Sequence, residues 1–234
     1  MAKRILILLT IFIAAFAGAQ GKPASRQAHK ERYPTFLLNY SSLQKELGLS
    51  PAVVKKIAQI QKDAEKHYLG MISPKPNNPN QLNRPTMQQM FAQQEKRDDA
   101  IIALLNEHQR ARLKQVGLQY AGPLALGDRS IFATLKITPD QEKKLRAASM
   151  KEQKTFTDEI RQATTTTHVS PTNPVSPKQR MEQLTKARIK MMHAFQADAE
   201  KILTPAQVTK WKAMLGKPFP VETLYAPLVT KGVR

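Results

Sequence analysis

Apolar residues in this chain form helix-spaced stripes separated by polar and proline-rich breaks, and the whole series occurs twice. From Pro51 to Met71, the residues Val53, Ile57, Ile60, Ala64, His67 or Tyr68, and Met71 recur at three- and four-residue steps, which lines them on one helical face. Ser73–Pro85 is rich in Pro and Asn and reads as a turn or flexible loop. A second helix is predicted over about 86–104. Its apolar ends, Met87/Met90/Phe91 and Ile101/Leu104/Leu105, flank a polar middle from Gln93 to Asp99. A third helix starts at Asn106 and ends near Gly122-Pro123. The plan then returns. Leu145, Ala148, Phe156 and Ile160 mark a long helix, and Thr164–Pro177 a break. Met181, Leu184, Ala187, Met191, Phe195, Ala199 and Ile202 line a return helix. A last helix spans Pro205–Leu215, closed by Gly216 and Pro218. Phe36-Leu37-Leu38 and Leu43/Leu47 make a short helical approach to the first unit, and the tail after Phe219 has no clear period.

Four helix starts share a common phrase, one opening and one closing each unit. It reads Leu49-Ser50-Pro51-Ala52-Val53, Leu105-Asn106-Glu107-His108-Gln109, Ile137-Thr138-Pro139-Asp140-Gln141 and Leu203-Thr204-Pro205-Ala206-Gln207. Ser50, Asn106, Thr138 and Thr204 are N-caps, whose side chains accept from a free N–H of the first turn. Gln141 and Gln207 complete capping boxes by reaching back to the cap N–H. Pro at N1 has no N–H to lose. Leu49 staples to Val54 and Leu203 to Val208, while Arg110 and Glu142 carry no staple. Four residues past the last position stands an apolar residue (Ile57, Leu113, Leu145, Trp211), each preceded by a base (Lys56, Arg112, Lys144, Lys210). One such start is ordinary; four in this form are a repeat. The opening phrases lie 88 residues apart (Ser50 to Thr138) and the closing ones 98 (Asn106 to Thr204). Upstream, Ser42-Leu43 to Ser50 runs in register with Ser130-Ile131 to Thr138. The expected fold is therefore all-α: two tandem long helical hairpins with short basal helices, cradle-like, over 36–127 and 128–220, with a tail over 221–234. Each hairpin has a narrow stripe, so a core requires two of them, or a second chain.

Lys3-Arg4, the apolar run Ile5–Ala15 and Ala17-Gly18-Ala19 have the order of a secretory signal peptide cleaved after Ala19. The run is shorter than the ~20 residues of a spanning helix. Residues 20–35 read as a flexible basic leader. Loss of Lys3 and Arg4 lowers the formal net charge from +19 to +17. A periplasmic or secreted location follows, soluble after cleavage. With no cysteine, neither disulfides nor lipidation contributes. So basic a surface favours acidic polypeptides or anionic envelope components; it also serves solubility alone, and export argues against nucleic acid.

The phrase Leu-Thr-x-x-Gln, repeated in an exported, cysteine-free helical chain, resembles the Spy/CpxP-like periplasmic LTxxQ proteins. Residues 137–141 and 203–207 carry the match best. Val53 departs where the family has Gln, and Asn106 where it has Thr. The resemblance implies long hairpins that dimerise into a thin curved cradle, and a role as an ATP-independent chaperone, an envelope-stress sensor or a zinc binder. The tandem copies would give one chain the internal equivalent of that dimer; a homodimer is the alternative.

Specific chemistry is sparse. His29, His67, His108, His168 and His193 show no metal-ligand spacing, so no metal or cofactor is expected. Met87-x-x-Met90 and Met191-Met192 sit at apolar helical positions, where gap-filling or an adaptable surface outweighs copper ligation. Asp98-Asp99, beside Lys96 and Arg97, reads as a solvated face, and Trp211 as a base-packing residue with Leu215 and Phe219. No nucleophile elbow, P-loop or dinucleotide turn occurs, and the chain is not expected to be an enzyme. The expectation is a binding protein that holds unfolded polypeptides. Its candidate contacts are Lys55, Lys56, Lys62, Lys143, Lys144, Arg188 and Lys190, interleaved with Met87, Met90, Phe91, Met191 and Phe195. The alternative is an adhesive envelope protein bound to anionic cell-wall or lipid groups. Apolar stripes left exposed favour the first; stripes sealed under a basic shell favour the second.

Overall fold

The computed structural model describes residues 33–72, 74, 75, 78–82, 84–167 and 177–224. The expected signal peptide and most of the leader lie outside them, as does the end of the tail. The fold is all-α. A 3-10 turn, Thr35–Asn39, leads into α1 (Ser41–Glu46) and α2 (Pro51–Met71). The expected loop is instead an antiparallel ribbon of β1 (Pro74–Lys75) and β2 (Asn78–Leu82). Proline stands in both strands, as a ribbon with open edges tolerates. Next come α3 (Met87–Ile102), α4 (Glu107–Ala121), a 3-10 turn at Gly122–Gly127 and α5 (Arg129–Leu135). The chain continues through α6 (Pro139–Thr167), α7 (Pro177–Ile202), α8 (Pro205–Leu215) and a 3-10 turn at Val221–Leu224. Helix α6 runs through Thr164–Thr167, where a break was expected: β-branched residues lower helix propensity only slightly.

The described residues divide into two compact units, 33–117 with 219–224, and 118–218. The division falls inside α4 rather than at 127/128, because Leu118, Leu124, Ala125 and Leu126 pack with the core of the second unit. Nor is the tail patternless: Leu224 is buried, and Thr223 Oγ1 lies 3.4 Å from Ser42 Oγ in the first unit. The last leader residue is also fixed. Thr35 is buried and donates to Asp98 Oδ1 at 2.5 Å. Asp98 also accepts from Arg97, so it is an anchor and not a solvated face.

In the second unit, Leu126, Ile131, Leu135, Leu145, Phe195, Ala199, Leu203 and Trp211 form one buried cluster. Helices α6 and α7 run antiparallel along each other. Lys151 pairs with Asp198, and eight residues further out Glu159 pairs with Lys190 eight residues further back. In the first unit α2 and α3 pack together beyond the ribbon. That unit's burial sits at its base: Leu37, Leu38, Leu43, Leu47, Ile57, Ile101, Leu105, Leu113 and Val116. All four apolar positions that follow the phrases (Ile57, Leu113, Leu145, Trp211) are buried.

The phrases do more than start helices. Ser50 Oγ accepts from the Val53 N–H at 3.3 Å. Full boxes form at Asn106/Gln109, Thr138/Gln141 and Thr204/Gln207. Each Gln then uses its NH2 to tie its helix to another. Gln141 Nε2 donates to the Ile202 carbonyl at 3.1 Å, and Gln207 Nε2 to the Leu135 carbonyl at 3.1 Å. The two amides also bond each other, at 2.8 and 3.1 Å. In the first unit Gln109 Nε2 donates to the Leu47 carbonyl at 3.0 Å. That bond repeats the Gln207–Leu135 bond, shifted by the same 88 and 98 residues. The bases repeat too. Arg112 Nε donates to Glu46, and Lys210 Nζ donates to the carbonyl of Thr134, the residue equivalent to Glu46. Gly48 and its equivalent Lys136 both take left-handed backbone, at φ 59° and 53°.

Candidate binding surface

The expected contact residues do not form one surface. Met191 and Phe195 are buried in the core of the second unit, which removes them from any contact set. The spacing that puts them on one face of α7 is real, but α6 covers that face. Arg188 is held down, its guanidinium 4.9 Å from the Tyr120 ring centroid and Nη2 donating to the Tyr120 carbonyl at 3.5 Å. Lys190 is engaged with Glu159, and Lys144 with Asp140 at 2.7 Å. Lys143 lies exposed on α6, and Lys55, Lys56 and Lys62 lie exposed along α2.

The outer end of the first hairpin is different. Among the residues of α2 and α3 between 58 and 100, none is buried; α2 fully buries Ile57 and α3 Ile101, both at the base. Met87 and Phe91 stand one turn apart on α3 with relative exposures of 59% and 54%, and Met90 beside them is half-buried. Leu69 in the last turn of α2 and Leu82 at the end of β2 are 56% and 47% exposed. The topology gathers these four large apolar side chains at one end: the exit of α2, the ribbon, and the entry of α3. Thr86 and Gln89 fix that entry with a capping box, at 3.2 and 2.8 Å. Leu69 was detectable beforehand, because it lies off the stripe that carries Tyr68 and Met71. Leu82 was hidden in the Asn- and Pro-rich break.

The charge at this end is one-signed. From 66 to 94 the chain carries Lys66, Lys75 and Arg84 and no Asp or Glu. Lys66 and Arg84 are exposed. Elsewhere cations are often neutralised locally: Lys144, Lys151, Lys190, Lys201 and Lys212 all make ion pairs. Hydrogen bonds from Lys151 and, less strongly, Lys201 hold the Asp198 carboxyl below its usual pKa, and the contacts with Glu152 and Asp198 raise that of Lys151.

No chemistry of another kind stands out. Among the described residues no three His, Asp or Glu side chains gather into a metal site. None of the described helices is long and apolar enough to cross a membrane. A hollow lined by Asn106, Glu107, His108 and Ala111 is open to solvent at the first turn of α4. No protein family, curated protein or solved structure matches this chain significantly.

Proposed function

We propose that this is an exported, non-enzymatic binding protein that holds unfolded polypeptides in the manner of an ATP-independent envelope chaperone. The observation that carries the reading is the apolar, cationic end of the first hairpin, where Leu69, Leu82, Met87 and Phe91 stand open to solvent beside Lys66 and Arg84. Exposed apolar side chains in a cluster are costly to keep and mark a contact surface. Methionine suits clients of varied shape, being flexible and polarisable. Lys66, Lys75 and Arg84, with no carboxylate between 66 and 94, draw acidic segments in over about a Debye length, ~8 Å at physiological salt, before short-range contact forms. The LTxxQ resemblance supports the same role, and the repeated bonds at the two bases support tandem copies doing within one chain what a homodimer would do.

The test is aggregation of a chemically denatured client diluted into buffer with the mature chain at equimolar amount. Suppression is expected. The double change Met87→Ser/Phe91→Ser should lose most of it, whereas Met150→Ser, at an exposed apolar residue on α6, should not. No suppression by the native chain removes the proposal. Binding to anionic cell-wall or lipid material that needs no client and disappears with salt would favour adhesion instead.

A further inference from the structure

Helix α2 and the matching stretch of α6, 88 residues on, share four identical residues: Pro51/Pro139, Lys55/Lys143, Lys56/Lys144 and Lys66/Lys154. The other 17 of the 21 positions (21 − 4) differ. The proline starts the helix. The lysines have no such role in common. Lys144 pairs with Asp140, but the residue equivalent to Asp140 is Ala52, so the two copies do not share that pair. Lys55, Lys66, Lys143 and Lys154 are all exposed, and among the described residues none of the four meets a carboxylate. Asp63, close by on α2, accepts instead from Gln59 at 2.8 Å. Exposed side chains without a partner contribute little to folding, so their retention in two diverged copies points to contact with something outside the chain.

Eleven residues separate Lys55 from Lys66, and eleven separate Lys143 from Lys154. Eleven residues make three turns, which puts each pair on one side of its helix, ~17 Å apart along the axis. On α2 that side is the open one, half a turn from the stripe of Ile57, Ala64 and Tyr68. Lys62 joins the row seven residues past Lys55, and exposed Leu69 ends it three residues past Lys66. On α6, Met150 and Thr157 take the places of Lys62 and Leu69, so charge alone is common to the two rows. The row on α2 selects what lies along it. Its partner offers anions over ~17 Å and an apolar group directly beside them. An extended polypeptide does so with about five acidic residues next to an apolar one, at ~3.3 Å per residue. A polymer of phosphates alone leaves Leu69 uncovered.

We infer that the open face of α2 is the second part of the client site: Lys55, Lys62 and Lys66 take an acidic stretch of about five residues, and the apolar stretch beside it goes to Leu69, Met87 and Phe91. Lys143 and Lys154 on α6 take a further acidic stretch by charge alone. This rests on the function proposed above and makes its client an unfolded chain in which acidic and apolar stretches adjoin. Three solvated ion pairs together give about ten-fold in affinity at low salt.

The experiment measures binding of two labelled peptides to the full mature chain by fluorescence anisotropy at low salt. One peptide carries five glutamates followed by an apolar stretch; the other has glutamines in their place. The glutamate peptide should bind about ten-fold more tightly. Lys55→Gln/Lys62→Gln/Lys66→Gln should reduce it to the level of the glutamine peptide and leave the glutamine peptide unchanged. Lys45→Gln/Lys96→Gln/Lys186→Gln removes the same charge from exposed lysines off both rows and should change either affinity by less than about two-fold. Leu69→Ser should weaken both peptides alike. Lys143→Gln/Lys154→Gln should remove a second, weaker glutamate-peptide site and spare the first. Equal binding of the two peptides overturns the inference, and so does an equal loss in the control triple, which would mean diffuse net charge. Long-chain inorganic polyphosphate bound more tightly on the α2 row than the glutamate peptide overturns a polypeptide as the occupant. An undiminished second site in Lys143→Gln/Lys154→Gln overturns the row on α6. A chain that shows the charge difference but does not suppress aggregation keeps the row and loses the chaperone reading.

Discussion

Replacing Gln207 with Ala tests whether the repeated phrase is a helix start or an interhelical lock. Gln207 accepts from the Thr204 N–H at 2.9 Å, donates to the Leu135 carbonyl at 3.1 Å and exchanges bonds with Gln141. A capping contact is worth about 0.5–1 kcal/mol and each partly buried bond about 1 kcal/mol net. Counting the exchange with Gln141 as one net bond, the sum for Gln207→Ala is about 2.5–3 kcal/mol. Gln109→Ala removes a cap and the bond to the Leu47 carbonyl, but no second glutamine, and should cost about 1.5–2 kcal/mol. Gln89→Ala removes only a cap at Thr86, about 0.5–1 kcal/mol. Urea unfolding measures the series. Trp211 is the single tryptophan and lies in the second unit, so its fluorescence follows that unit; far-UV circular dichroism follows the whole chain. With a slope of about 1.5 kcal/mol/M, Gln207→Ala should lower the midpoint by about 1.5–2 M. The cycle Gln141→Ala/Gln207→Ala should show about 1 kcal/mol of coupling. Additive single changes, or a Gln207→Ala cost no larger than that of Gln89→Ala, would refute the lock.

Three further outcomes follow from the same geometry. Lys136→Gly should raise stability by about 0.5–1 kcal/mol and Gly48→Ala lower it similarly, because both positions are left-handed and only one holds glycine; equal signs in thermal unfolding would contradict this. Gly117→Ala should cost about 1–3 kcal/mol, since a Cβ there would clash with the Pro34 ring; denaturant midpoints check it. Asp198→Asn should cost about 0.2–1 kcal/mol at pH 7. The Asp198 pKa is lowered by folding, so its contribution is present above the unfolded value of about 3.9 and vanishes as pH falls through the folded one; a mutant deficit still undiminished at pH 2 would contradict that.

Helix existence was legible because it rests on local chemistry. Pro51–Met71 and Pro205–Leu215 appear with the bounds that their caps and periodicity predict. What stayed hidden was which neighbour covers a stripe. Met87/Phe91 and Met191/Phe195 look alike in sequence, yet the first pair is open and the second buried, since coverage depends on a partner helix that periodicity does not name. The division within α4 was hidden for a related reason: a helix continues through a change of packing partner without any local signal. Thr35–Asp98 joins residues 63 apart, and Asp98 in isolation carries no mark of an anchor.

The repeat also explains why the two hairpins can differ in behaviour while sharing a scaffold. Beyond the capping boxes, the bonds retained in both copies run between a closing phrase and the short helix before the opening phrase: Gln109 to Leu47, Gln207 to Leu135, Arg112 to Glu46, Lys210 to Thr134. These bonds hold the base, whichever way the long helices pack. The bonds that Gln141 makes, to the Ile202 carbonyl and to Gln207, have no equivalent in the first copy, where the position is Val53. A duplication therefore leaves the base under constraint and frees the arm to vary, because losing the glutamine of the opening phrase removes a few partly exposed hydrogen bonds, each about 1 kcal/mol, and leaves the buried base intact. The pair that keeps the Gln141 bond is also the one that buries Ser149, Glu152, Met191 and Met192 beyond its base, whereas the residues of known burial along the first pair between 58 and 100 are at most half-buried.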